Sequence, residues 1–468
     1  MFKKLHFQLL FFLLLIGLFS MVVNVGRVKA IGPIYIRADG TVDPPSAPIF
    51  TADNVTYVLT DNITVIDADG IIIERNNVVF DGAGYSIQGA GTWVGIGTYS
   101  LSVNVTIQNT QITGFYDGIR CGGRNSTVLR NRITAAQYGI LDFKGSNISS
   151  YNIISGNIIA DSFDGILIYR SCDNMISENL LENNQDGGIV LAPLSSNNTV
   201  TRNNLTRNNY GIGFLGSSRN NMYHNNFLHN THQIYVGAAA ANFLDDGYPS
   251  GGNYWSDYNG TDVFSGVYQN ETGKDRIGDA PYVVDAYNVD RFPLIFPDLT
   301  VNDVSPCKTV VGRGYAMQIN ATVQNLQDFN ETFNVVFSAN MTIINETQMT
   351  LTNITSTTVT LLWNTSSFVY GNYTLEAIVD VVAEEVDYLN NNCTSIISVH
   401  VGVPGDVSSS TQGVYDMKCD MKDIAYLVIL FNTKPTSPNW NPNADVDNNG
   451  VVSMIDIAIA ILNFNKHE

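Results

Sequence analysis

The residues with the clearest chemical signature lie near the C-terminus, in the segment from Asp445 to Asp456. Oxygen-bearing groups recur at every second position of this segment, a glycine occupies its sixth position, and a carboxylate closes it. A calcium loop uses this spacing to wrap about six to eight oxygens around one hard cation. The sequence therefore predicts a calcium cofactor, with the following ligands: Asp445, Asp447, Asn449, the carbonyl of Val451, Ser453 and Asp456.

An alternative interpretation of this segment needs no metal. Asparagine and aspartate are common in turns, and a carboxylate near the N-terminus of a helix is favourable by itself. Asp456 directly precedes an apolar stretch and fits that role.

A related but less regular segment lies upstream and offers a second set of carboxylates. Counting back from Asp423 as the closing residue places Met417 at the glycine position and Gln412 at the first position. The segment is therefore degraded or carries an insertion, and a second calcium ion would need Asp406 and Ser408 as displaced early ligands. The carboxylates available for it are Asp406, Asp416, Asp420 and Asp423.

Each segment runs into a helical pattern, Asp423 to Phe431 in the first unit and Asp456 to Phe464 in the second. Paired loop–helix units about 30 residues apart resemble a type I dockerin, and the resemblance covers residues 403–468. It implies an EF-hand-like, calcium-dependent domain that binds a cohesin-type partner. It also implies that two residue pairs help to choose that partner: Met421 and Lys422, and Met454 and Ile455.

The longest part of the chain is repetitive. A Gly-Ile pair recurs about every 23 residues from Gly95 to Ile212, in phase with a second series of asparagines at positions 131, 157, 179, 203 and 225. Each period holds short apolar alternations broken by turn residues and no amphipathic helix. This pattern predicts a right-handed parallel β-helix with end caps over residues 31–297. We expect the glycines to supply positive φ, the isoleucines to point inward and the asparagines to form ladders.

Two segments beyond the repeats carry a family resemblance. With the coils, the segments Tyr248–Tyr258 and Asp275–Tyr282 resemble the β-helix repeats of prokaryotic surface proteins. That superfamily of carbohydrate-binding proteins and sugar hydrolases includes the NosD-type copper-maturation proteins. The resemblance implies a fold and leaves the chemistry open.

Residues 298–402 show about seven strand patterns separated by turns, which predicts an Ig-like β-sandwich. Val323-Gln-Asn325, Tyr373-Thr-Leu375 and Asn390–Asn392 resemble CARDB-type adhesion modules, which implies a spacer or adhesion role. Cys307 and Cys393 flank this segment and could form a disulfide.

Composition and the N-terminus place the protein outside the cell. Residues 1–30 combine Lys3 and Lys4 with an apolar run and small residues before position 30, which is typical of a signal peptide. If uncleaved, this segment would be the one membrane attachment that we expect. The net charge of −19 disfavours nucleic acid as a partner. Asn-x-Ser/Thr sequons recur from Asn54 to Asn392 and fit a glycosylated surface protein.

The leading hypothesis is a secreted, non-catalytic, glycan-binding or structural β-helix whose dockerin attaches it to a cohesin. The alternative is a polysaccharide lyase or glycoside hydrolase with carboxylates in the β-helix groove. A purely structural stalk is a third hypothesis, and a metal site at His224, His229 and His232 is a fourth. The candidate carboxylates are Asp117, Asp142, Asp161, Asp164, Asp186, Asp245 and Asp246, and the candidate sugar-stacking aromatics are Trp93, Tyr99, Tyr116, Tyr169 and Tyr210.

Overall fold

The computed structural model describes residues 29–98, 102–238, 241–327 and 329–468. Most of the predicted signal peptide and Tyr99 therefore lie outside the described residues. The chain divides into two compact units, one ending at Leu294 and the other spanning Ile295–Glu468. Among the described residues, no helix has the length and apolar character needed to cross a bilayer.

The first unit is a parallel β-helix of about eight turns, formed by three long sheets that are named A, B and C here. Sheet A contains Lys29–Ile31, Ile63–Val65, Ser86–Gln88, Gln111–Thr113, Arg132–Thr134, Ile158–Ala160, Leu180–Glu182, Asn204–Thr206, Asn226–Leu228 and Tyr254–Trp255. Sheet B contains Ile34–Ile36, Val42–Asp43, Ile71–Ile73, Val94–Thr98, Asp117–Cys121, Tyr138–Ser149, Asp164–Cys172, Gly187–Leu191, Tyr210–Leu215 and His232–Ala238. Sheet C contains Ile49–Phe50, Thr56–Leu59, Val78–Asp81, Val105–Gln108, Thr127–Leu129, Ile153–Ser155, Met175–Ser177, Thr199–Thr201 and Asn221–Tyr223.

The register of sheet B stacks the predicted inward isoleucines directly over one another. Ile96 pairs with Ile119, which pairs with Ile140, and the column continues through Ile166, Ile189 and Ile212 to Ile234. The members from Ile96 to Ile212 are fully buried. Every coil presents an isoleucine at the same place, so the core has the same period as the sequence. The predicted parallel β-helix is therefore confirmed.

The glycines before these isoleucines are required for a different reason from the one predicted. Gly95, Gly118, Gly139 and their equivalents do not adopt positive φ. A Cβ atom on Gly139 would instead lie 2.5 Å from the carbonyl oxygen of Gly165 and 2.4 Å from Ile159 Cγ2. The tight turn that joins a strand of sheet A to one of sheet B, called a corner here, therefore needs glycine because successive coils approach too closely for any side chain.

Asparagine ladders stabilise all three corners of the coil. The predicted ladder runs from Asn131 to Asn253, with side-chain amides of neighbouring coils 2.9–3.1 Å apart from donor to acceptor. A second ladder includes Asn174, Asn198, Asn220 and Asn242, and a third includes Asn184, Asn208 and Asn230. Each buried amide also bonds to backbone, so the ladders satisfy polar groups that the tight corners would otherwise leave unpaired.

An irregular cap closes the last coil, as its aromatic and proline content predicts. It contains two antiparallel hairpins, Phe264–Ser265 with Glu271–Thr272 and Tyr282–Val283 with Val289–Asp290. Trp255 stacks between Phe227 and Tyr282, with ring centroids 4.2 Å apart on both sides. The cap thereby covers the open end of the core.

The second unit begins with a β-sandwich around the buried Trp363. One sheet contains Leu299–Pro306, Ala316–Asn325 and Ser356–Asn364, and another contains Val310–Gly312, Gly371–Tyr373 and Val399–Gly402. The third contains Glu331–Ala339, Thr342–Leu351, Leu375–Val379 and Asn392–Thr394. All five cysteines are free, so the suggested Cys307–Cys393 disulfide is not formed. Cys307 Sγ instead lies 3.7 Å from Asn448 Oδ1.

Two helices follow the sandwich, α1 (Met421–Ile429) and α2 (Met454–Leu462), with a 3₁₀ turn at Pro442–Ala444 between them. Asp420 and Ser453 are their N-cap residues, and each helix begins with a complete capping box closed by Asp423 or Asp456. Each box satisfies backbone N–H groups that a helix start leaves unpaired. The two loop–helix units pack around a shared small core that includes Leu427 and Ile457.

Candidate functional site

The predicted calcium loop brings three carboxylates together. Ligand oxygens of Asp445, Asp447 and Asp456 all lie within 4.8 Å of one another, and Asp445 and Asp456 are buried. Burial raises the pKa of Asp447, and the nearby charge of Asp456 raises it further. Three like charges at this separation repel one another unless a cation or protons neutralise them.

Backbone donors hold the loop in its curve. The carboxylate of Asp445 accepts from the N–H groups of Asn449 and Gly450, and Gly450 adopts a φ of 87°. Asp456 Oδ1 accepts from Val446 N and Asp447 N, while Oδ2 accepts from Ser453 N and Oγ. Asp456 thus serves as the acidic residue of the helix start whether or not it also binds a metal, so the metal-free interpretation keeps part of its support.

The donor set suits a hard divalent cation. The loop offers three carboxylates, the Asn449 amide and backbone carbonyls, and it contains no histidine or cysteine between Asp445 and Asp456. Calcium prefers such oxygen ligands and tolerates their irregular geometry. The loop residues therefore fit the ion that the spacing predicts.

The first loop has the same pattern of hydrogen bonds as the second loop, but it contains inserted residues. Asp423 accepts from Val407 N and Ser408 N, as Asp456 accepts from Val446 N and Asp447 N. Asp406 accepts from Asp416 N, which makes it the counterpart of Asp445. The extra residues therefore lie between Ser408 and Asp416.

Met417 completes the correspondence between the loops. Its φ of 69° matches the left-handed conformation of Gly450, although methionine is an unusual residue there. The counting that placed Gln412 at the first position is wrong, because the inserted residues separate the early ligands from the late ones. The alternative with Asp406 as a displaced first ligand agrees with the structure.

Two buried oxygens of the first loop have no hydrogen-bond partner within the part of the chain that the structure describes: Asp406 Oδ2 and Asp416 Oδ1. Burial raises the pKa of Asp406 to about 7. Among the described residues, however, no three of the carboxylates at positions 406, 416, 420 and 423 meet within 4.8 Å, as those of the second loop do. The unpaired oxygens suit a cation, but the carboxylates of the first loop are less closely gathered than those of the second loop.

The residues expected to choose a partner lie on the surface. Met421, Met454 and Ile455 are 61%, 63% and 56% exposed, and Lys422 is exposed beside them. Further apolar side chains at the other ends of the helices are also exposed: Val428, Ile429, Phe431, Ile461, Leu462 and Phe464. This much apolar surface on two short helices is typical of a protein-binding site.

Residues of the β-sandwich that the sequence did not single out contact the second loop. Lys308 Nζ donates to the carbonyl oxygen of Asp445 at 2.7 Å. The side-chain oxygen of Asn443 accepts from Thr309 N and Val310 N at 2.9 and 3.0 Å. No local sequence signal reveals these contacts, because Lys308 and Asp445 are 137 residues apart.

The outer face of sheet B holds the most unusual carboxylates of the β-helix. In the register of the sheet, Asp117 pairs with Tyr138 and Tyr138 pairs with Asp164. Burial raises the pKa of Asp164 to about 6, and it raises that of Asp117 against the opposing charge of Arg120. Asp117 Oδ1 is buried without a partner, whereas its other oxygen is 2.5 Å from Arg120. In the coil that follows Asp164, Asp186 accepts a hydrogen bond of 2.7 Å from the hydroxyl of Tyr210, which lies one coil further along.

The remaining candidate carboxylates have ordinary structural roles. Asp142 is buried and accepts from Ser171 Oγ, and Asp245 pairs with Arg291 in the cap. Asp161 is an exposed turn residue with a φ of 54°, and Asp246 accepts from Ser250 Oγ. These four residues lie apart from the row on sheet B.

The three histidines are not gathered into a metal site. His224 and His229 are turn residues that follow strands of sheets C and A, whereas His232 begins a strand of sheet B. Among the described residues, the group of three ligands that converges is the aspartate group of the second loop. Because the coil turns between them, the three histidines lie on different sides of the coil, and the structure does not support the hypothesis of a metal site there.

Exposed aromatic side chains follow the edge of sheet B. Trp93 and Tyr116 lie in neighbouring coils, joined by a backbone hydrogen bond, and are 47% and 44% exposed. Phe163 occupies the same edge further along and is 38% exposed. Of the other predicted aromatics, Tyr210 is buried and stacks on Tyr235, and Tyr169 stacks on Phe143. Trp93, Tyr116 and Phe163 are called the aromatic edge below.

Comparison with known proteins agrees with this architecture. Residues 146–260 match the family model described as periplasmic copper-binding protein (NosD). No curated protein matches the chain. The CARDB domain of a Pyrococcus furiosus protein, solved in complex with di-metal ions, is 27% identical over 23% of this chain and 89% of its own length, with a TM-score of 0.20.

Two solved β-helix proteins are more distantly similar. A periplasmic alginate epimerase is 16% identical, covering 44% of this chain and 71% of its own, with a TM-score of 0.25. The enzymatically active domain of bacteriophage CBA120 tailspike protein 2 is 10% identical, covering 74% and 66%, with a TM-score of 0.30. Part of the parallel β-helix is similar to the NosD family model, and the chain is also similar to a solved CARDB domain.

Proposed function

We propose that residues 403–468 are a calcium-dependent dockerin that attaches a secreted or cell-surface β-helix protein to a cohesin-type partner. The convergence of Asp445, Asp447 and Asp456 carries this proposal, because a divalent cation between three carboxylates within 4.8 Å of one another relieves their mutual repulsion. The exposed apolar residues on α1 and α2 support it, since a docking partner would bury them. The periplasmic description of the NosD family supports an extracytoplasmic location.

Calorimetric titration of the full chain with calcium tests the metal part of the proposal. Asp447→Asn should raise the Kd of the second loop by about tenfold or more, because it removes one charged ligand of the hard cation. Asp416→Asn should leave the Kd of the second loop unchanged. If the first loop also binds an ion, this variant should abolish that binding. Asp173→Asn, at a half-buried turn of the β-helix, is the matched control. Absence of calcium binding in the wild-type chain would contradict the proposal.

Capture on an immobilised cohesin tests the partner. We expect calcium-dependent capture that EDTA abolishes and that Met454→Asp with Ile455→Asp prevents, because these exposed apolar side chains would lie in the interface. The same double variant should bind calcium normally. Calcium binding without capture by a panel of cohesins would leave a calcium module with some other partner.

We further propose that the β-helix binds glycan along the aromatic edge. Exposed aromatic rings stack on sugar rings, and Trp93, Tyr116 and Phe163 present three such surfaces along one edge of the β-helix. Trp93→Ala and Tyr116→Ala should each weaken binding to an immobilised glycan array, whereas Tyr268→Ala, an exposed ring in the cap, should not. Equal binding by all three variants would exclude the aromatic edge as the binding surface. Absence of glycan binding by the wild type, with cohesin capture retained, would favour the purely structural role.

One observation supports the alternative that the β-helix is a polysaccharide lyase or glycoside hydrolase. Asp164 is 5% exposed with a pKa raised to about 6, which suits a general acid near neutral pH, and Asp186 lies in the adjacent coil. A hydrolase or lyase at this position would release new chain ends from a polysaccharide. Incubation with neutral and acidic polysaccharides, compared with the Asp164→Asn variant, separates turnover from simple binding.

A further inference from the structure

A lysine of the β-sandwich lies against the second calcium loop. Lys308 lies between the strands Leu299–Pro306 and Val310–Gly312 and is 3% exposed. Its ammonium donates to the carbonyl oxygen of Asp445, the first residue of the loop, at 2.7 Å. A buried ammonium is costly unless charged or polar groups compensate it.

The compensation comes from the loop itself. Burial lowers the pKa of Lys308, and the charges of Asp445, Asp456 and Asp447 oppose that effect. These are the same three carboxylates that converge within 4.8 Å. The sandwich therefore inserts a positive charge among the groups that would neutralise a bound cation.

Neighbouring contacts keep the lysine in place. Asn443 Oδ1 accepts from Thr309 N and Val310 N, and Asn443 Nδ2 donates to Thr309 Oγ1 at 3.0 Å. Thr309 and Val310 are the two residues that follow Lys308 in the chain. Because the backbone beside Lys308 is bonded to Asn443, just before the loop, the base of the lysine side chain is held next to the loop.

We propose that Lys308 sets the cation affinity of the second loop from within the β-sandwich, as a fixed positive charge that competes with a bound divalent ion. This inference rests on the proposed calcium site. A divalent ion entering the loop draws the three carboxylates toward itself and is repelled by the ammonium. The sandwich thereby makes the loop a weaker calcium site than its own ligands would be.

The test is calcium titration of the full chain carrying Lys308→Met, which keeps most of the side-chain volume and removes the charge. We expect the Kd of the second loop to fall by about tenfold or more, because one nearby like charge has been removed. Lys434→Met removes an exposed lysine of the same module and should leave the Kd within about twofold of wild type. Lys308→Gln is a second variant, since its amide can still donate to the Asp445 carbonyl if the methionine variant fails to fold.

The outcomes separate the inference from the function on which it rests. Wild-type binding that the Lys308 variants leave unchanged or weaken would overturn the inference and leave the calcium site standing. Absence of binding in the wild type and in both Lys308 variants would overturn the calcium site and the inference together. Tighter binding in both variants, with the Lys434 control unchanged, would establish the inference.

Discussion

Aspartates of this chain differ in function according to what surrounds their oxygens. Asp456 receives four hydrogen bonds at the start of α2, whereas Asp406 is nearly as buried and has one oxygen without a partner. Asp164 accepts one backbone hydrogen bond, from Gly187, on the outer face of sheet B. Burial, nearby charges and the donors around a carboxylate together set how stable its ionised form is.

Asp164 makes stability depend on pH in a definite direction. Burial raises its pKa from 3.8 to about 6, so the folded chain keeps this proton to a higher pH than the unfolded chain does. Stability is therefore lost as the pH rises from about 4 to about 6. Asp164→Asn removes this loss and should raise the free energy of unfolding at pH 8 by up to about 3 kcal/mol, with little change at pH 4.

Urea unfolding of the wild type and Asp164→Asn at both pH values measures this effect. Asp161→Asn is the matched control, because Asp161 is an exposed turn residue in the same coil and asparagine tolerates its positive φ. An equal difference between wild type and Asp164→Asn at pH 4 and pH 8 would show that burial of the charge is not the cause.

At the scale of the element, the coil is shaped by three tight corners. Each corner has a residue in the left-handed conformation, such as Arg130, followed by an inward ladder residue, such as Asn131. The A-to-B corner additionally brings the glycine backbones of successive coils into close contact. Turn, ladder and glycine therefore act together to keep the spacing between coils constant.

Two glycines of sheet B allow a direct test of this close approach. Gly139→Ala should destabilise the β-helix by about 3 kcal/mol, because its Cβ would overlap the Gly165 carbonyl and Ile159. Gly97→Ala should have little effect, because the nearest atom to its Cβ is Val94 Cγ1 at 3.5 Å. Thermal unfolding followed by far-UV circular dichroism measures both, and equal effects of the two substitutions would exclude backbone crowding as the reason for the glycine.

The C-terminal elements show how duplicated units can diverge. Both helices keep a complete capping box, yet the first loop carries extra residues between Ser408 and Asp416. The capping box survives because it needs only the four residues from the N-cap to the third residue of the helix, whereas the ligand set spans the whole loop and is disturbed by any insertion within it. This difference explains why the two loops gather their carboxylates to different degrees.

At the scale of the whole molecule, two different principles build the two units. The unit ending at Leu294 repeats one coil, so each coil is stabilised mainly by its two neighbours. The unit from Ile295 joins a β-sandwich to a loop–helix pair through contacts such as Lys308 with Asp445. In the second unit, the properties of the metal loop therefore depend on residues of the preceding fold.

The sequence by itself determined the features that depend on local spacing. The period of about 23 residues predicts the β-helix, its inward isoleucines and one of its ladders, because each coil repeats the same local chemistry. The alternating oxygens from Asp445 to Asp456 predict which side chains meet in the second loop. The loop ligands lie close together in the chain, and the contacts between coils recur at one fixed spacing, so the sequence records both.

Only the tertiary structure decided the remaining features. The corner glycines are required by the adjacent coil, the carboxyl of Asp164 is perturbed by burial within the stacked coils, and Lys308 reaches a loop 137 residues away. Close approach, burial and long-range charge depend on how distant segments pack, and no pattern within a short window of sequence records them.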